Sequence, residues 1–186
     1  MADDLLSAVL RKLEPEQPKV ESRRLAAISV MILGSAEPKT LLIKRAERSG
    51  DPWSGQVAFP GGKMAEGDSS ARQTAVRETM EELEVNLAED ADFAGYHRPF
   101  RTHTGDMDVV PVVFLLRRKV NVVPNLEVSG YRWVGLNEFL LPRSASTYLF
   151  KAGDASRDMP AFVLGDYVVW GLTHRILSSL LSDASL

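Results

Sequence analysis

Leu5, Leu6, Val9, Leu10 and Leu13 recur at helical spacing, so residues 4–13 predict a short amphipathic helix. Asp3 or Asp4 is placed to cap it, and Pro15 and Pro18 end the pattern and open a linker. From 25 to 33 the run LAAISVMIL predicts a buried strand, Glu37-Pro38-Lys39 is turn material, and residues 40–43 predict a second strand, together a hairpin. The polar stretch 45–54, with Gly50, Asp51 and Pro52, predicts a loop.

Residues 56–59 predict a short strand that stops at Pro60-Gly61-Gly62. A polar loop then leads to a helix from Ser70 to about Glu84, with Ser70 and Gln73 at capping-box spacing. Strands follow at 92–98, 108–117 and 129–134, and Pro111 implies an edge position or a bulge in the second of them. A short helix is expected near 136–141 and an amphipathic helix over 167–181. There is no internal repeat or low-complexity tract. The order helix, strands, helix, strands, helix predicts an α/β fold with helices packed on both faces of one mixed sheet.

The chain has 186 residues, which suits an N-terminal helix and linker at 1–24 followed by one domain at 25–186. Hydrophobic residues at 45% and charged residues at 25% supply a sizeable core and exclude disorder, collagen and coiled coil as global descriptions. Lys plus Arg is 22 against 25 Asp plus Glu, so no broad basic surface offers itself to duplex DNA, and no nucleic-acid partner is expected. With no cysteine, thiolate nucleophiles, disulfides and cysteine-ligated metals are excluded, and any metal must sit on oxygen or histidine. The acidic start is the reverse of a signal peptide, and no apolar run approaches the roughly 18 residues of a membrane span. A cytoplasmic protein with no membrane partner is the expectation.

The chemistry concentrates in Glu78, Glu81 and Glu82, which at i, i+3, i+4 fall on one face of their helix, while Val76, Thr79, Met80 and Leu83 face the sheet. Crowded carboxylates repel one another, so something positive should compensate them. Arg77 is one candidate and a hard divalent cation, Mg²⁺ or Mn²⁺, the other. Phe59-Pro60-Gly61-Gly62 places two glycines at a strand end, where a backbone carbonyl can turn toward the same metal and bare backbone can approach a phosphate. Gly62-Lys63 is not a P-loop, because Met64 holds the Ser/Thr position and Val57 the first glycine position, which excludes an ATPase of that kind. His97 and His103 bracket Arg98 and Arg101 near a strand, His174 reads as structural, and Trp53 suits either base stacking or burial. None of these four enters the candidate set.

Gly62-Lys63-Met64-Ala65-Glu66-Gly67-Asp68, then Arg77-Glu78-Thr79-Met80-Glu81-Glu82, resembles the signature of the Nudix hydrolase family. Two departures stand out: one extra residue between Asp68 and Arg77, and Glu84 where the family usually has glycine. Leu41-Leu42-Ile43-Lys44-Arg45-Ala46 with Gly55-Gln56-Val57-Ala58-Phe59-Pro60-Gly61-Gly62, and Trp170-Gly171-Leu172-Thr173 later, look like the coenzyme A pyrophosphatase branch. That branch has threonine at Ile43, and its second arginine falls near Gly50 or Asp51, with Arg48 the cation that would stand in for it. The similarity covers roughly residues 25–181.

The resemblance implies a Nudix-like α/β/α sandwich with a mixed β-sheet between helices. It further implies hydrolysis of a diphosphate bond, in coenzyme A or its derivatives, to phosphopantetheine and adenosine 3',5'-bisphosphate. Metal ligation would fall to Glu78 and Glu82, with Glu81 third and the Gly61 carbonyl fourth, and Mg²⁺ or Mn²⁺ as cofactor. Arg77 would orient the glutamates, and the general base stays open between Glu78, Glu81 and a carboxylate from a distant loop. Arg45, Gly61, Gly62 and Lys63 are the candidate substrate contacts. The alternatives are a Nudix hydrolase of ADP-ribose, a dinucleotide or a nucleoside triphosphate, and a non-catalytic nucleotide-binding module. The partner expected is a small nucleotide-type substrate, and a homo-oligomer is compatible with this reading.

Overall fold

The computed structural model describes residues 2–20, 24–50, 53–152 and 155–182. Asp51 and Pro52 of the expected loop lie outside them, as do the side chains of Asp3 and Asp4, the expected caps. In chain order the elements are α1 (Ala2–Leu10), β1 (Leu25–Leu33), β2 (Lys39–Arg45), β3 (Val57–Ala58), β4 (Gly61–Lys63) and α2 (Ala71–Leu83). Then come α3 (Leu87–Asp90), β5 (Ala91–Tyr96), β6 (Phe100–Arg101), β7 (Asp108–Leu116) and β8 (Val128–Gly135). Two 3-10 turns, Leu136–Leu140 and Pro142–Ser144, lead to β9 (Ala145–Ala152), β10 (Ala155–Leu164), β11 (Tyr167–Trp170) and α4 (Gly171–Leu180).

The main sheet runs β3-β2-β1-β7-β5, with β4 pairing β1, β8 pairing β2 and β6 pairing β7. The expected hairpin is present, with Ile32 opposite Thr40 in β1 and β2. β1 and β7 lie parallel along their whole length, Leu25 opposite Asp108 through Leu33 opposite Leu116, and the other pairings are antiparallel. These two strands sit in the middle of the sheet with both faces covered, which is why each reads as a near-continuous apolar run. One apolar layer, including Leu5, Val9, Val30, Leu42, Val113, Ile176 and Leu177, lies between the sheet and α1 with α4. The other, including Ala27, Met31, Leu41, Ala71, Ala75, Leu83 and Val110, lies under α2. Helices on both faces of a mixed sheet are the expected α/β architecture.

Three expectations are corrected. Pro111 is inside the central strand β7, opposite Ile28 of β1. Its carbonyl accepts from His97 N at 2.9 Å, so its ring nitrogen faces the same side, where β5 has ended at Tyr96 and β6 has not begun at Phe100. The missing N–H therefore falls in a gap in the neighbouring strands. Residues 167–170, expected as the start of the last helix, form β11, paired from Leu164 opposite Tyr167 to Ala161 opposite Trp170. Their aromatic and β-branched content fits a pleated surface, and α4 begins only at Gly171. No element is expected over 145–164, yet β9 and β10 form a long hairpin there. Its packing is long-range: Tyr148 stacks on Trp170 with ring centroids 4.5 Å apart, and Phe150 lies 5.2 Å from the same ring. Among the described residues no helix is long and apolar enough to cross a membrane.

Candidate active site

α2 carries the candidate chemistry, and its limits are set from outside as much as from within. Ser70 is the N-cap, its Oγ accepting from Gln73 N at 3.2 Å. The reciprocal half of the expected box falls one residue early, with Gln73 Oε1 accepting from Ser69 N at 2.8 Å. At the other end the four carbonyls that a helix leaves without partners are all satisfied. Glu84 N donates to Met80 O, Asn125 Nδ2 to Glu81 O, Asn125 N to Glu82 O and Val123 N to Leu83 O. Glu84 itself is left-handed, φ 54° and ψ 31°, a conformation that costs an ordinary side chain about 1–2 kcal/mol. The glycine expected there would adopt it freely.

The three glutamates grade from solvent to core rather than sharing one environment. At about 100° per residue, Glu81, Glu78 and Glu82 span an arc from the exposed side of α2 to the edge of its buried stripe. Their exposures follow that order: the Glu81 side chain is 55% exposed, that of Glu78 18%, and Glu82 is 4% exposed as a residue. The sheet-facing stripe is Ala71, Thr74, Ala75, Thr79, Glu82 and Leu83, whereas Met80, expected on it, is 48% exposed. A buried hydroxyl chain fixes that face to β1: Thr79 Oγ1 donates to Ser29 Oγ at 2.7 Å, and Ser29 Oγ donates to Ala75 O at 3.1 Å.

Arg77 is the hub. Its Nη1 lies 2.9 Å from Glu78 Oε1 and 3.1 Å from Glu81 Oε2, and its Nη2 donates to Lys63 O at 3.0 Å and Asp68 Oδ2 at 2.9 Å. Asp68 also accepts from Ala65 N at 2.9 Å and from Thr74 Oγ1 at 3.0 Å. The Arg77 hydrogen bond, helped by these donors, holds Asp68 down to about 2. Asp68 was outside the candidate set, and the signal for it is the acidic residue in the loop before Arg77.

Glu82 is the opposite case. Its Oε2 accepts from Gly61 N at 2.9 Å, yet burial pushes its pKa up to about 7, with Glu78 adding to the rise and Arg45 opposing it. Glu78 is raised as well, chiefly by burial, against the pull of Arg77. Gly62 makes room for that carboxylate: a Cβ there would lie 2.5 Å from the Glu78 carboxyl carbon. Arg45 ends β2 beside this pair, while Lys63 ends β4 with an exposed side chain. Glu127, whose charge also raises Glu82, lies 3.2 Å from Arg48 Nη1, so the loop carrying Arg48 reaches the same neighbourhood. A glycine-lined strand end thus meets a helix bearing graded carboxylates and one arginine clamp, and the family model for the NUDIX domain matches residues 23–151.

The chain belongs to the Nudix hydrolase family. A curated relative, the uncharacterized Nudix hydrolase NudL of Citrobacter koseri, is 32% identical over 187 residues, covering 96% of this chain and 92% of the relative. The NudL of Yersinia pestis (strain Pestoides F) is 32% identical over 167 residues, covering 89% and 82%. Among solved structures, a MutT/nudix family protein from Enterococcus faecalis has a TM-score of 0.57 at 20% identity, covering 90% of this chain and 64% of that one. The C. elegans Ap4A hydrolase binary complex has a TM-score of 0.52 at 19% identity, covering 63% and 83%. These two structures show the fold. This Nudix hydrolase is therefore a pyrophosphohydrolase acting on phosphorus anhydrides, and its substrate is a nucleoside diphosphate derivative.

Nudix hydrolases generally use divalent cations, and the donors of this Nudix hydrolase suit a hard one. Burial makes both Glu78 and Glu82 reluctant to ionise, with the charge of Glu78 adding to the effect at Glu82, their donor atoms are oxygen only, and Gly62 leaves the Glu78 carboxylate lying against bare backbone. Among the described residues no three Asp, Glu or His side chains converge as a finished cage, and Glu81 accepts from Arg77 Nη1. A site with two carboxylates suits a cation that keeps waters and substrate phosphates in its shell. The histidines are elsewhere: His97 is buried with Nε2 3.3 Å from Ser179 Oγ, His103 is exposed, and His174 packs on Phe162. Trp53 is 47% exposed.

Proposed function

We propose that this Nudix hydrolase cleaves the diphosphate bond of coenzyme A or its derivatives, giving phosphopantetheine and adenosine 3',5'-bisphosphate. The observation that carries the reading is the pairing of β2 with β3, Ile43 opposite Ala58 and Arg45 N donating to Gln56 O at 2.9 Å, beside the chain that runs into Gly61, whose N–H donates to Glu82. It brings the upstream segment at 41–46, which resembles the coenzyme A branch, to the glutamates of the signature helix. Similarity to NudL along 96% of the chain supports the hydrolase family within which this substrate is proposed.

In this reading Glu78 and Glu82 would hold Mg²⁺ or Mn²⁺, and Glu81, which Arg77 holds in this structure, would be drawn in as third ligand with the Gly61 carbonyl as fourth. A divalent cation so bound neutralises phosphate charge and makes water a better nucleophile near neutral pH. Arg77 keeps Glu78 and Glu81 aligned through charge-assisted hydrogen bonds and is itself held by Asp68. Arg45 and Lys63 bring positive charge to the diphosphate, and Gly61 and Gly62 let it approach the backbone. Glu78, half-buried and raised, and Glu81, exposed and paired, are the carboxylates that would accept the proton of the attacking water.

The test is chromatography of phosphate-containing products from coenzyme A, ADP-ribose, NADH and a nucleoside triphosphate, each with Mg²⁺, Mn²⁺ or chelator. Metal-dependent cleavage of coenzyme A above the others is the expected result. Preference for another diphosphate overturns the coenzyme A assignment, and silence throughout points to a nucleotide-binding module.

A further inference from the structure

We propose that residues 14–17 form a strap that sets the register of α2, with Gln17 a positioning residue for the carboxylates that helix carries. The proposal rests on the hydrolase reading above, in which those carboxylates do the chemistry. The strap precedes residue 23, where the family match begins.

Its course links the two faces of the sheet. α1 buries Leu5 and Val9 in the layer shared with Ile176, Leu177 and Leu180 of α4. The chain then turns round the edge strand β5, where Glu14 N donates to Tyr96 O and Tyr96 N donates to Glu14 O, both at 2.8 Å. The approach is close enough that a Cβ on Gly95 would lie 2.9 Å from Glu14 O and from Leu13 Cβ. Past that point Gln17 Oε1 accepts from Ala71 N at 2.7 Å, and Val20 joins the apolar layer under α2. Ala71 is the first residue of α2 and fully buried, so its N–H is one of the helix-start donors that must find a partner beyond the helix.

What Gln17 holds is coupled to the glutamates in short steps. Ala71 lies three residues after Asp68, which is bonded to Thr74 and Arg77, and Arg77 grips Glu78 and Glu81. A shift of the first turn therefore moves the anchor of the arginine that aligns the carboxylates. Small displacements of aligned groups lower turnover more than they lower substrate binding.

Three variants separate this role from mere stability. Gln17→Ala removes the acceptor, Gln17→Glu keeps it with a charge that suits a helix start, and Leu5→Ala loosens the same segment far from α2. Steady-state kinetics are read on the best substrate of the panel above, at a temperature where all three stay folded by circular dichroism. Expected is a kcat lowered about three- to tenfold in Gln17→Ala with KM within about twofold, recovery in Gln17→Glu, and near wild-type kcat in Leu5→Ala. An unchanged kcat in Gln17→Ala overturns the proposal, and so does an equal loss in Leu5→Ala, which would reduce the strap to a stability element. Amide exchange at Ala71, expected to accelerate in Gln17→Ala only, reads the strap without substrate. If the wild type is silent on every substrate, the hydrolase reading fails while the exchange result still decides whether Gln17 holds the helix.

Discussion

The two ends of α2 use a carboxylate in opposite ways. At the start, Asp68 is gathered by Arg77, Ala65 N and Thr74, and its pKa falls to about 2. At the far end Glu82 has, among the described residues, one hydrogen-bond donor, Gly61 N, against deep burial and the charge of Glu78, and its pKa rises to about 7. The first group is arranged to be content with its charge and so serves to hold the helix and its arginine. The second is kept short of positive partners, the condition under which a carboxylate gains most from an incoming cation. At Asp68 the Arg77 hydrogen bond outweighs burial, whereas at Glu82 burial outweighs the Gly61 hydrogen bond, although both side chains are almost wholly screened from solvent.

The largest effect expected to test this contrast is on Glu82. Glu82→Gln preserves shape and removes the charge, so kcat should fall by about a hundredfold or more. Stability should move the other way. A group whose folded pKa is raised contributes stability below its ordinary value of 4.5 and loses it as pH rises through about 7. In chelator at pH 8, Glu82→Gln should therefore be more stable than wild type by about 1–3 kcal/mol, measured by urea denaturation. A destabilised variant with full turnover would erase the distinction between the two ends.

Asp68→Asn should show the reverse sign. Because Asp68 is held below its ordinary value of 3.8, its contribution is present above that pH and disappears as pH falls through about 2. The variant should lose about 1–2 kcal/mol at pH 7 and lack the part of acid unfolding that wild type shows between those two values. Acid titrations of the two proteins followed by circular dichroism would reveal it. The smallest expected effect sits just beyond Glu82: Glu84→Gly relieves a left-handed side chain and should stabilise by about 0.5–1 kcal/mol with turnover unchanged. A thermal melt shifted downward would mean that the Glu84 side chain contributes something its backbone conformation conceals.

Much of this arrangement was legible before the fold. The i, i+3, i+4 spacing of Glu78, Glu81 and Glu82, with Arg77 beside them and two glycines upstream, marked the helix and its charge. The hairpin at 25–45 and the helix at 71–83 follow from local periodicity and capping. Met80 shows the limit of that reasoning, because a helical wheel fixes angles between side chains and not which angle meets the sheet. Gln17 and Asn125, which hold the two ends of α2, are 54 and 44 residues away from the atoms they bond. Nothing in their neighbours' pattern singles them out. The hairpin of β9 and β10 was likewise hidden, since its aromatic residues find their partner in Trp170 of another strand.

Local chemistry by itself determined which residues would crowd on one helix, where that helix is capped at Ser70, and that the crowd would need positive compensation. Periodicity, capping and charge repulsion all act over a few residues, so the chain carries them openly. Only the tertiary structure decided that Glu81 meets solvent, Glu82 meets Gly61, and Asp68 rather than a glutamate anchors Arg77. Those outcomes depend on burial and on donors brought in from distant segments, and a carboxylate's ionisation follows the surroundings it is folded into, not its neighbours in sequence.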